Sequence, residues 1–423
     1  MGKATPSGPW CAIVITDNTI NDADVIVAGA GIIGATFATL LGRAGFNIAL
    51  IEASISDSDT DESLPDPRVL AITRASEQIL RRANVWAKIP SERIGNFRKM
   101  HVWDEKGNGD IRFDSAVICQ PTLGYIIAGK LIQSTLQASL LNMDTVTWYR
   151  PARPALLERH GDSVVLGLDD GRRVRAGMIV AADGGNSAVR ELAGITMESH
   201  DYRQSALVCT VDTEKPHDNV ARQRFLTRGP LAFLPMAEPS RCSIVWSTTP
   251  EHAIDLINMD INQFQTELEI AFMGTLGKIT NSGTRATFPL RRAQATQYCQ
   301  PRLALIGDSA HSVHPLAGQG ANLGLLDAAT LAELIIAARL SDRDPGAYPV
   351  LRRYERWRRG ENYKMMMLFE GFKYLFESQI ESVRWFRNTG MNLMDSVPLA
   401  KEWIMCRAMG LEGDLPTFAR ELP

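Results

Sequence analysis

Three glycines in the run Gly29-Ala30-Gly31-Ile32-Ile33-Gly34 follow the apolar stretch Val25 to Ala28 and open a helical pattern, and Glu52 closes the next apolar stretch. That arrangement suits a dinucleotide. Gly29 permits a tight turn, Gly31 lets backbone approach a pyrophosphate, and Gly34 lets helix and strand pack closely, while free amides at the helix start attract anionic oxygen. Glu52 can accept hydrogen bonds from both ribose hydroxyls, which disfavours a 2′-phosphate and leaves FAD or NAD as the nucleotide. A glycine turn that merely packed would need no acid at Glu52.

Two later segments have related chemistry. Asp183-Gly184 begins a turn after the apolar stretch Met178 to Ala181, and Gly307-Asp308 follows the apolar stretch Arg302 to Ile306. Beyond Asp308, Pro315 leads into Gly318-Gln319-Gly320, whose backbone amides stand at the start of a long helical pattern containing Asn322. Such a helix start stabilises negative charge on a reduced ring. His311 and His314 have no further ligand cluster beside them, and a zinc site needs three or four ligands, so no metal is expected. Trp246 reads as a buried core residue.

The elements that must position these residues follow from patterning. Val25 to Ala28 and Asn47 to Ile51 read as strands, and Ala75 to Trp86 and Lys130 to Leu141 as helices. Met100 to Trp103 and Ile111 to Phe113 form a hairpin across Gly107-Asn108-Gly109. From Val146 to Val180 a strand-and-turn rhythm predicts an antiparallel meander. Short strands at Leu207 to Asp212, Leu231 to Pro235 and Ser243 to Ser247, with an amphipathic helix at Ile261 to Thr275, predict a second sheet. Ala321 to Leu340 is apolar around much of a helix, a packed core element. The expected fold is α/β: a Rossmann-like dinucleotide domain from discontinuous segments 23–99, 120–200 and 298–346, and a mixed-sheet substrate domain from 100–119 and 201–297. Residues 1–22 form a flexible arm and residues 347–423 a C-terminal helical region.

At 423 residues the chain has room for about two or three units of roughly 150 residues. Hydrophobic residues at 45% and charged residues at 22% describe an ordinary folded body and exclude a disordered or fibrous chain. The net charge of −3 gives no reason to bind a polyanion, so nucleic acid is not an expected partner. The six cysteines are scattered, without a CxxC pair, which predicts a reducing compartment. Lys3 is the only basic residue before Asp22, and no signal-peptide or Arg-rich presequence shape is present, so the expected location is cytoplasmic. The uncharged run Val25 to Gly42 contains too many glycines for a spanning helix and reads as strand, turn and helix.

In this order and spacing, the three glycine-acid motifs resemble the three FAD motifs of the class A flavoprotein aromatic hydroxylases. The likeness is greatest to the ubiquinone-biosynthesis hydroxylases, the UbiH/UbiF/VisC group. It extends from about Asp24 to the C-terminus and includes Asp66-Pro67-Arg68-Val69, Gly229-Pro230-Leu231-Ala232-Phe233-Leu234-Pro235 and Phe288-Pro289-Leu290. Leu351-Arg352-Arg353-Tyr354-Glu355-Arg356 and Ala408-Met409-Gly410-Leu411 look most like the VisC branch, which implies hydroxylation at ring carbon 5 of a polyprenylphenol. The resemblance implies that FAD, reduced by NAD(P)H or another donor, reacts with O2 to a C4a-hydroperoxide that attacks the ring. By the same resemblance Asp308 bonds the ribityl chain, Asp183-Gly184 lies near the pyrophosphate, Arg68 reaches the cofactor, Pro315 to Gly320 face the isoalloxazine, and Gln133 is a polar cofactor contact. No side chain is assigned as acid or base, because the cofactor carries the hard chemistry. After Gly124-Tyr125-Ile126-Ile127 the family usually has Glu-Asn, where this chain has Ala128-Gly129.

Two other functions fit the same motifs: an FAD-dependent lipid reductase that needs no O2, and a flavin-binding subunit of a biosynthetic complex without turnover. The stripe Met365-Met366-Met367-Leu368-Phe369 with Phe372, Leu375 and Phe376 is expected to be core, with a lipid-facing surface as the lesser alternative. Arg352, Arg353, Arg356, Arg358 and Arg359 are expected to form a solvated helix face. Two associations are expectations only: a multi-enzyme ubiquinone-biosynthesis complex and peripheral contact with the inner membrane.

Overall fold

A computed structural model describes residues 20–54, 68–312, 319–377 and 397–421. The chain begins with β1 (Ile20–Ala28), α1 (Ile32–Arg43) and β2 (Ile48–Ile51), followed by β3 (Val69–Ile72), α2 (Arg74–Arg82), β4 (Gly95–Phe97), the hairpin β5 (Lys99–Asp104) and β6 (Asp110–Asp114), β7 (Gly124–Ala128) and α3 (Gly129–Leu141). Next come β8 (Val146–Tyr149), β9 (Pro154–His160), β10 (Ser163–Leu168), β11 (Arg173–Ala181) and α4 (Ala188–Leu192). The middle of the chain contains β12 (Met197–Thr213), β13 (Val220–Leu226), β14 (Gly229–Pro235), β15 (Arg241–Thr248), α5 (Pro250–Asn258), α6 (Ile261–Ala271), β16 (Ile279–Ser282) and β17 (Ala286–Ala295). The last elements are β18 (Cys299–Gln300), β19 (Leu303–Leu305), β20 (His311–Ser312), α7 (Gln319–Leu340), α8 (Tyr348–Glu377) and α9 (Pro398–Ala408).

Among the described residues the first sheet runs β18-β19-β11-β1-β2-β8, with β10 and β9 appended to β11. Strands β19, β11, β1, β2 and β8 are parallel. Parallel strands covered on both faces are apolar throughout. Accordingly Ile26, Val27 and Ala28 of β1 and Val180 and Ala181 of β11 are fully buried. Helix α1 packs Phe37, Ala38 and Leu41 against this sheet with no exposure, and α7 lies beside it.

The second sheet runs β20-β17-β12-β15-β14-β13-β5-β6, with β16 on β12, and β3-β7-β4 make a small third sheet. Alternation along β15 puts Cys242, Ile244 and Trp246 into the core beneath α5 and α6, so Trp246 is core, as expected. The other face of that sheet is turned toward the first sheet's strand ends. The long pair β12–β17 reaches back to Met197 and Ala295, and β20 pairs with Ala293 and Gln294, so the strand just after Asp308 is built into the second sheet.

Several expectations are corrected. β1 begins at Ile20, because Ile20 to Ala23 pair in register with Arg173 to Ala176, so the end of the expected arm is strand. β8 does not belong to the meander: it pairs in parallel with β2, and only β9, β10 and β11 are antiparallel neighbours. Helix α2 ends at Arg82, short of Trp86, because Asn84 takes a left-handed φ of 56° that breaks the helix. β12 extends well before Leu207, and β13 was hidden by its charged residues. One of these, Arg224, is buried and donates to the Ala271 carbonyl. Arg358 is not on a solvated face but fully buried, whereas Arg352, Arg353, Arg356 and Arg359 are exposed. In the Met-rich stripe Met366 is core, but Met367 and Leu368 face solvent, because α8 has no packed neighbour on that side among the described residues. The side chains of Phe369, Phe372, Leu375 and Phe376 lie outside the described residues.

Candidate functional site

The three glycine-acid motifs meet because β1, β11 and β19 are consecutive parallel neighbours that end together. Ala28 pairs with Ala181, and Ala181 with Leu305. Ala182 N–H donates to the Ala28 carbonyl at 2.7 Å and Ile306 N–H to the Ala181 carbonyl at 2.9 Å, so the chains leave the sheet side by side. The crevice outside the carboxyl ends of parallel strands is where an open α/β sheet binds its ligand.

In the first motif each glycine has a distinct role. Gly29 has φ +99°, and a Cβ there would meet the Ala182 carbonyl oxygen at 2.4 Å. A Cβ on Gly34 would lie 2.0 Å from the Gly29 oxygen. Both are required by packing alone. A Cβ on Gly31 would meet nothing within 4 Å, so this glycine keeps space open in front of the α1 N-terminus. Glu52, at the end of β2, accepts from the Ala30 N–H at 2.7 Å through Oε2 and from the Ser54 N–H at 3.0 Å through Oε1. The acid thereby also braces the glycine turn.

Arg190 binds the second motif to the third. Its buried guanidinium donates through Nη2 to the Gly185 carbonyl at 2.7 Å and through Nη1 to the Ser309 carbonyl at 3.1 Å. Ser309 Oγ donates in turn to the Ala181 carbonyl at 2.6 Å. Asp183 Oδ2 accepts from the Val189 N–H at 3.2 Å, while Oδ1 is buried with no protein partner. Burial pushes the Asp183 carboxyl above the usual range against the pull of Ser187 and the Val189 amide. Asp308 lines the cavity and its side chain is exposed. Protein crowds around it, and this desolvation raises its carboxyl too, partly offset by His311. Of the two carboxylates, Asp308 faces the cavity and can accept from hydroxyl or amide donors of a ligand.

Arg68 lines the same cavity with its guanidinium carbon 4.0 Å from the Phe288 ring centroid. Gln133 reaches the cavity from α3, and Gly184, with φ +81°, and Gly320, in the first turn of α7, complete that end. Gln319 starts α7. Asn322 is used differently: its side chain is buried, accepting from the Thr73 N–H at 3.0 Å and donating to the Ala71 carbonyl at 2.7 Å, so it pins α7 to the β3–α2 junction. Pro315 and Gly318 lie outside the described residues.

The cavity has a volume of about 1000 Å³ and runs from Gly31, Gly184 and Asp308 to the inward face of the second sheet. There Ala206 and Val208 of β12, Ala232 of β14 and Val245 of β15 form a wall of small side chains. Period-two alternation creates that wall, since the residues between them point to the opposite core. The space at Gly31, the unobstructed Gly184 and the cavity-lining Asp308 fit FAD. Gly31 and the α1 start would hold the pyrophosphate, Glu52 the adenosine ribose, and Asp308 the ribityl hydroxyls.

Residues 22–366 match the family described as FAD binding domain. The chain belongs to that FAD-binding family. It is 34% identical over 393 residues to the 3-demethoxyubiquinol 3-hydroxylase of Escherichia coli (strain K12), covering 93% of this chain and all of that one. It is 33% identical over 431 residues to the ubiquinone hydroxylase UbiL of Rhodospirillum rubrum, covering 100% and 98%. In fold it is similar to p-nitrophenol 4-monooxygenase PnpA from Pseudomonas putida DLL-E4, with TM-score 0.75, 19% identity and coverage of 93% and 99%. Membership, motifs and relatives together make this an FAD-dependent aromatic hydroxylase of the ubiquinone hydroxylase group. No helix among the described residues is long and apolar enough to cross a membrane.

Sequence reasoning missed a charged cluster directly behind the third motif of this FAD-binding family member. Asp327 of α7 is fully buried and accepts from His311, from the Gly307 N–H at 3.2 Å, from Arg358 Nε at 2.8 Å and from Asn362 Nδ2 at 3.2 Å. Burial works to raise the Asp327 carboxyl, but His311 and Arg358 outweigh it and hold it down at about 2. His311 therefore belongs to an internal ion cluster. Asp327 interrupts the apolar run of α7, a signal that it needs a buried partner, but nothing in the sequence pairs it with Arg358.

Proposed function

We propose that the chain hydroxylates the aromatic ring of a polyprenylphenol intermediate of ubiquinone biosynthesis, at ring carbon 5, using electrons from NAD(P)H or another donor and oxygen from O2. The observation that carries this reading is the single cavity joining Asp308 and Gly184 to the small apolar wall of Ala206, Val208, Ala232 and Val245. An electron-rich ring placed against that wall is oriented toward the flavin and shielded from water. When bound, FAD supplies the redox and oxygen-activating chemistry. The protein's part is positional: Gly31 and Glu52 seat the nucleotide, Asp308 fixes the ribityl chain, and the sheet wall orients the ring and excludes water.

The relatives named above are a demethoxyubiquinol hydroxylase and a ubiquinone hydroxylase, which supports the pathway. The choice of ring carbon 5 is supported by the likeness of Leu351 to Arg356 and Ala408 to Leu411 to the VisC branch. Peripheral contact with the inner membrane belongs to the same proposal, supported by exposed Tyr363, Met367, Leu368 and Tyr374 on α8 and exposed Trp403 on α9.

The test combines the absorbance spectrum of the purified protein with turnover of a polyprenylphenol under isotopically labelled O2. Flavin bands, label in the product and accumulation of a C5-unhydroxylated precursor in cells lacking the protein are the expected results. Turnover without O2 would replace the hydroxylase by a reductase, stoichiometric flavin without turnover would leave a flavin-binding subunit, and a colourless protein that FAD cannot reconstitute would overturn the enzyme reading.

A further inference from the structure

The amide of Gln223 is buried with nothing to bond. Along β13, Ala221, Gln223 and Phe225 alternate with Arg222 and Arg224, and period-two geometry turns the two sets to opposite faces of the sheet. Both arginines are satisfied by protein: Arg222 donates to the His217 carbonyl at 2.8 Å and Arg224 to the Ala271 carbonyl at 2.6 Å. Gln223 lines the cavity, is 8% exposed, and has no side-chain hydrogen bond among the described residues. Its neighbours offer none. Ala232 stands opposite it on β14 and Val102 on β5, and Val102 belongs to one apolar cluster with Phe225 and Ile111. A buried amide without a partner is costly and uncommon in a native protein. A ligand group that supplies the partner removes that cost.

Across the sheet, Val208, Val245, Ala232 and Gln223 form one row, each paired with the next. Neighbouring strands lie about 4.8 Å apart, so the three apolar members span roughly 10 Å, the breadth of a substituted aromatic ring, and Gln223 stands at its edge. Ser243 and Ser247 share this face but are buried more deeply, at 0% and 4%, on shorter stems. Contact with an apolar wall is non-directional, so the wall fixes the plane of a ring and leaves its rotation within that plane free. A hydrogen bond at the edge of the wall removes that freedom, because it is directional.

We propose that Gln223 hydrogen-bonds the oxygen substituent of the substrate ring and so sets which ring carbon is presented to the flavin. The inference rests on the hydroxylase reading above, and adds the group that fixes the ring's rotation. A primary amide donates through Nε2, accepts through Oε1 and carries no charge, so it orients a phenol without taking its proton.

The experiment uses the full-length, FAD-loaded protein and two probes that differ by one hydroxyl, ortho-prenylphenol and prenylbenzene, titrated by calorimetry. Wild type is expected to bind the phenol roughly tenfold more tightly than the hydrocarbon, and Gln223→Met to remove that preference while binding the hydrocarbon at least as well. Because the amide has no protein partner to lose, the Gln223→Met apoprotein should unfold at no lower temperature than wild type. Its hydroxylated products should spread over more than one ring position. Gln223→Leu is the second variant, with bound flavin content as the control for folding. An unchanged preference in the folded variants, or an equal loss of affinity for both probes, would overturn the assignment. If the preference depends on Gln223 yet wild type hydroxylates no phenol, the amide stands as a ring-oxygen site and the hydroxylase reading fails.

Discussion

Arg358 of α8 and Asp327 of α7 form a fully buried ion pair, Nε to Oδ1 2.8 Å, directly behind the Gly307-Asp308 turn. A charge pair removed from water costs more than it returns unless its remaining positions are satisfied. Here they are, by His311, Asn362 and the Gly307 amide. The pair therefore ties α8 to α7 and the third cofactor motif.

Breaking this pair should be severe. Arg358→Met removes the arginine that, with His311, holds buried Asp327 ionised, and a loss of about 3–5 kcal/mol is expected in urea unfolding at neutral pH. Asp327→Asn with Arg358→Met in one chain should lose less than the two single losses added together. The folded-state carboxyl of Asp327 is depressed to about 2 from an ordinary 3.8. Its contribution to stability is therefore complete above about pH 4 and is lost as the pH falls toward 2. The Asp327→Asn variant should show a shallower acid limb than wild type, and an identical limb would remove this carboxylate from the account.

Gly31 and Gly34 separate cofactor binding from folding. Gly34→Ala places a methyl group against the Gly29 carbonyl and should destabilise the protein, whereas Gly31→Ala should fold normally. Gly31→Ala should nonetheless retain much less FAD, because its methyl occupies the approach of a pyrophosphate to the α1 start. Thermal unfolding of the apoprotein together with flavin titration distinguishes the two, and equal effects in both assays would show that the openness at Gly31 is not used by the cofactor.

Asp308 is expected to trade stability for binding. The protein crowded around it raises its folded-state carboxyl, and although its exposure to solvent makes the effect small, ionisation costs stability as the pH rises past the unfolded value. Asp308→Asn should make the apoprotein more stable than wild type at pH 7, with the difference vanishing in acid, while Asp308→Ala should lose FAD and activity together. Tightly bound flavin in Asp308→Ala would take the third motif out of the cofactor site.

The small wall of the second sheet predicts a steric effect on the substrate alone. Ala232→Phe should keep flavin bound and its reduction intact but raise KM or abolish turnover, since the new ring fills the space beside Val245 and Val208. Stoichiometric flavin with unchanged kinetics would show that substrate does not use this wall.

Ala128 is the N-cap of α3 and supplies no side-chain hydrogen bond. Ala128→Ser should stabilise the protein by about 1 kcal/mol, read as a shift in the unfolding midpoint, because a hydroxyl can satisfy an open amide in the first helical turn. No gain would show that those amides already have partners.

Local spacing determined much of this protein. The glycines, the acid after β2, the two later acids and the apolar strands before them are each readable within a few residues, because turns, helix starts and buried strands impose short-range rules. The likeness of these motifs to those of the flavoprotein hydroxylases pointed to the family, whereas their spacing alone left FAD or NAD open. Only the tertiary structure decided which strands became neighbours, moving β8 from the meander to β2 and making β1, β11 and β19 end together. It also decided that Arg358 is internal, that Arg190 joins two motifs, that Asn322 is spent on β3 and that α9 lines the cavity. A charge is solvated or paired, and a methionine core or lining, according to what another part of the chain brings opposite it, and that depends on packing rather than local sequence.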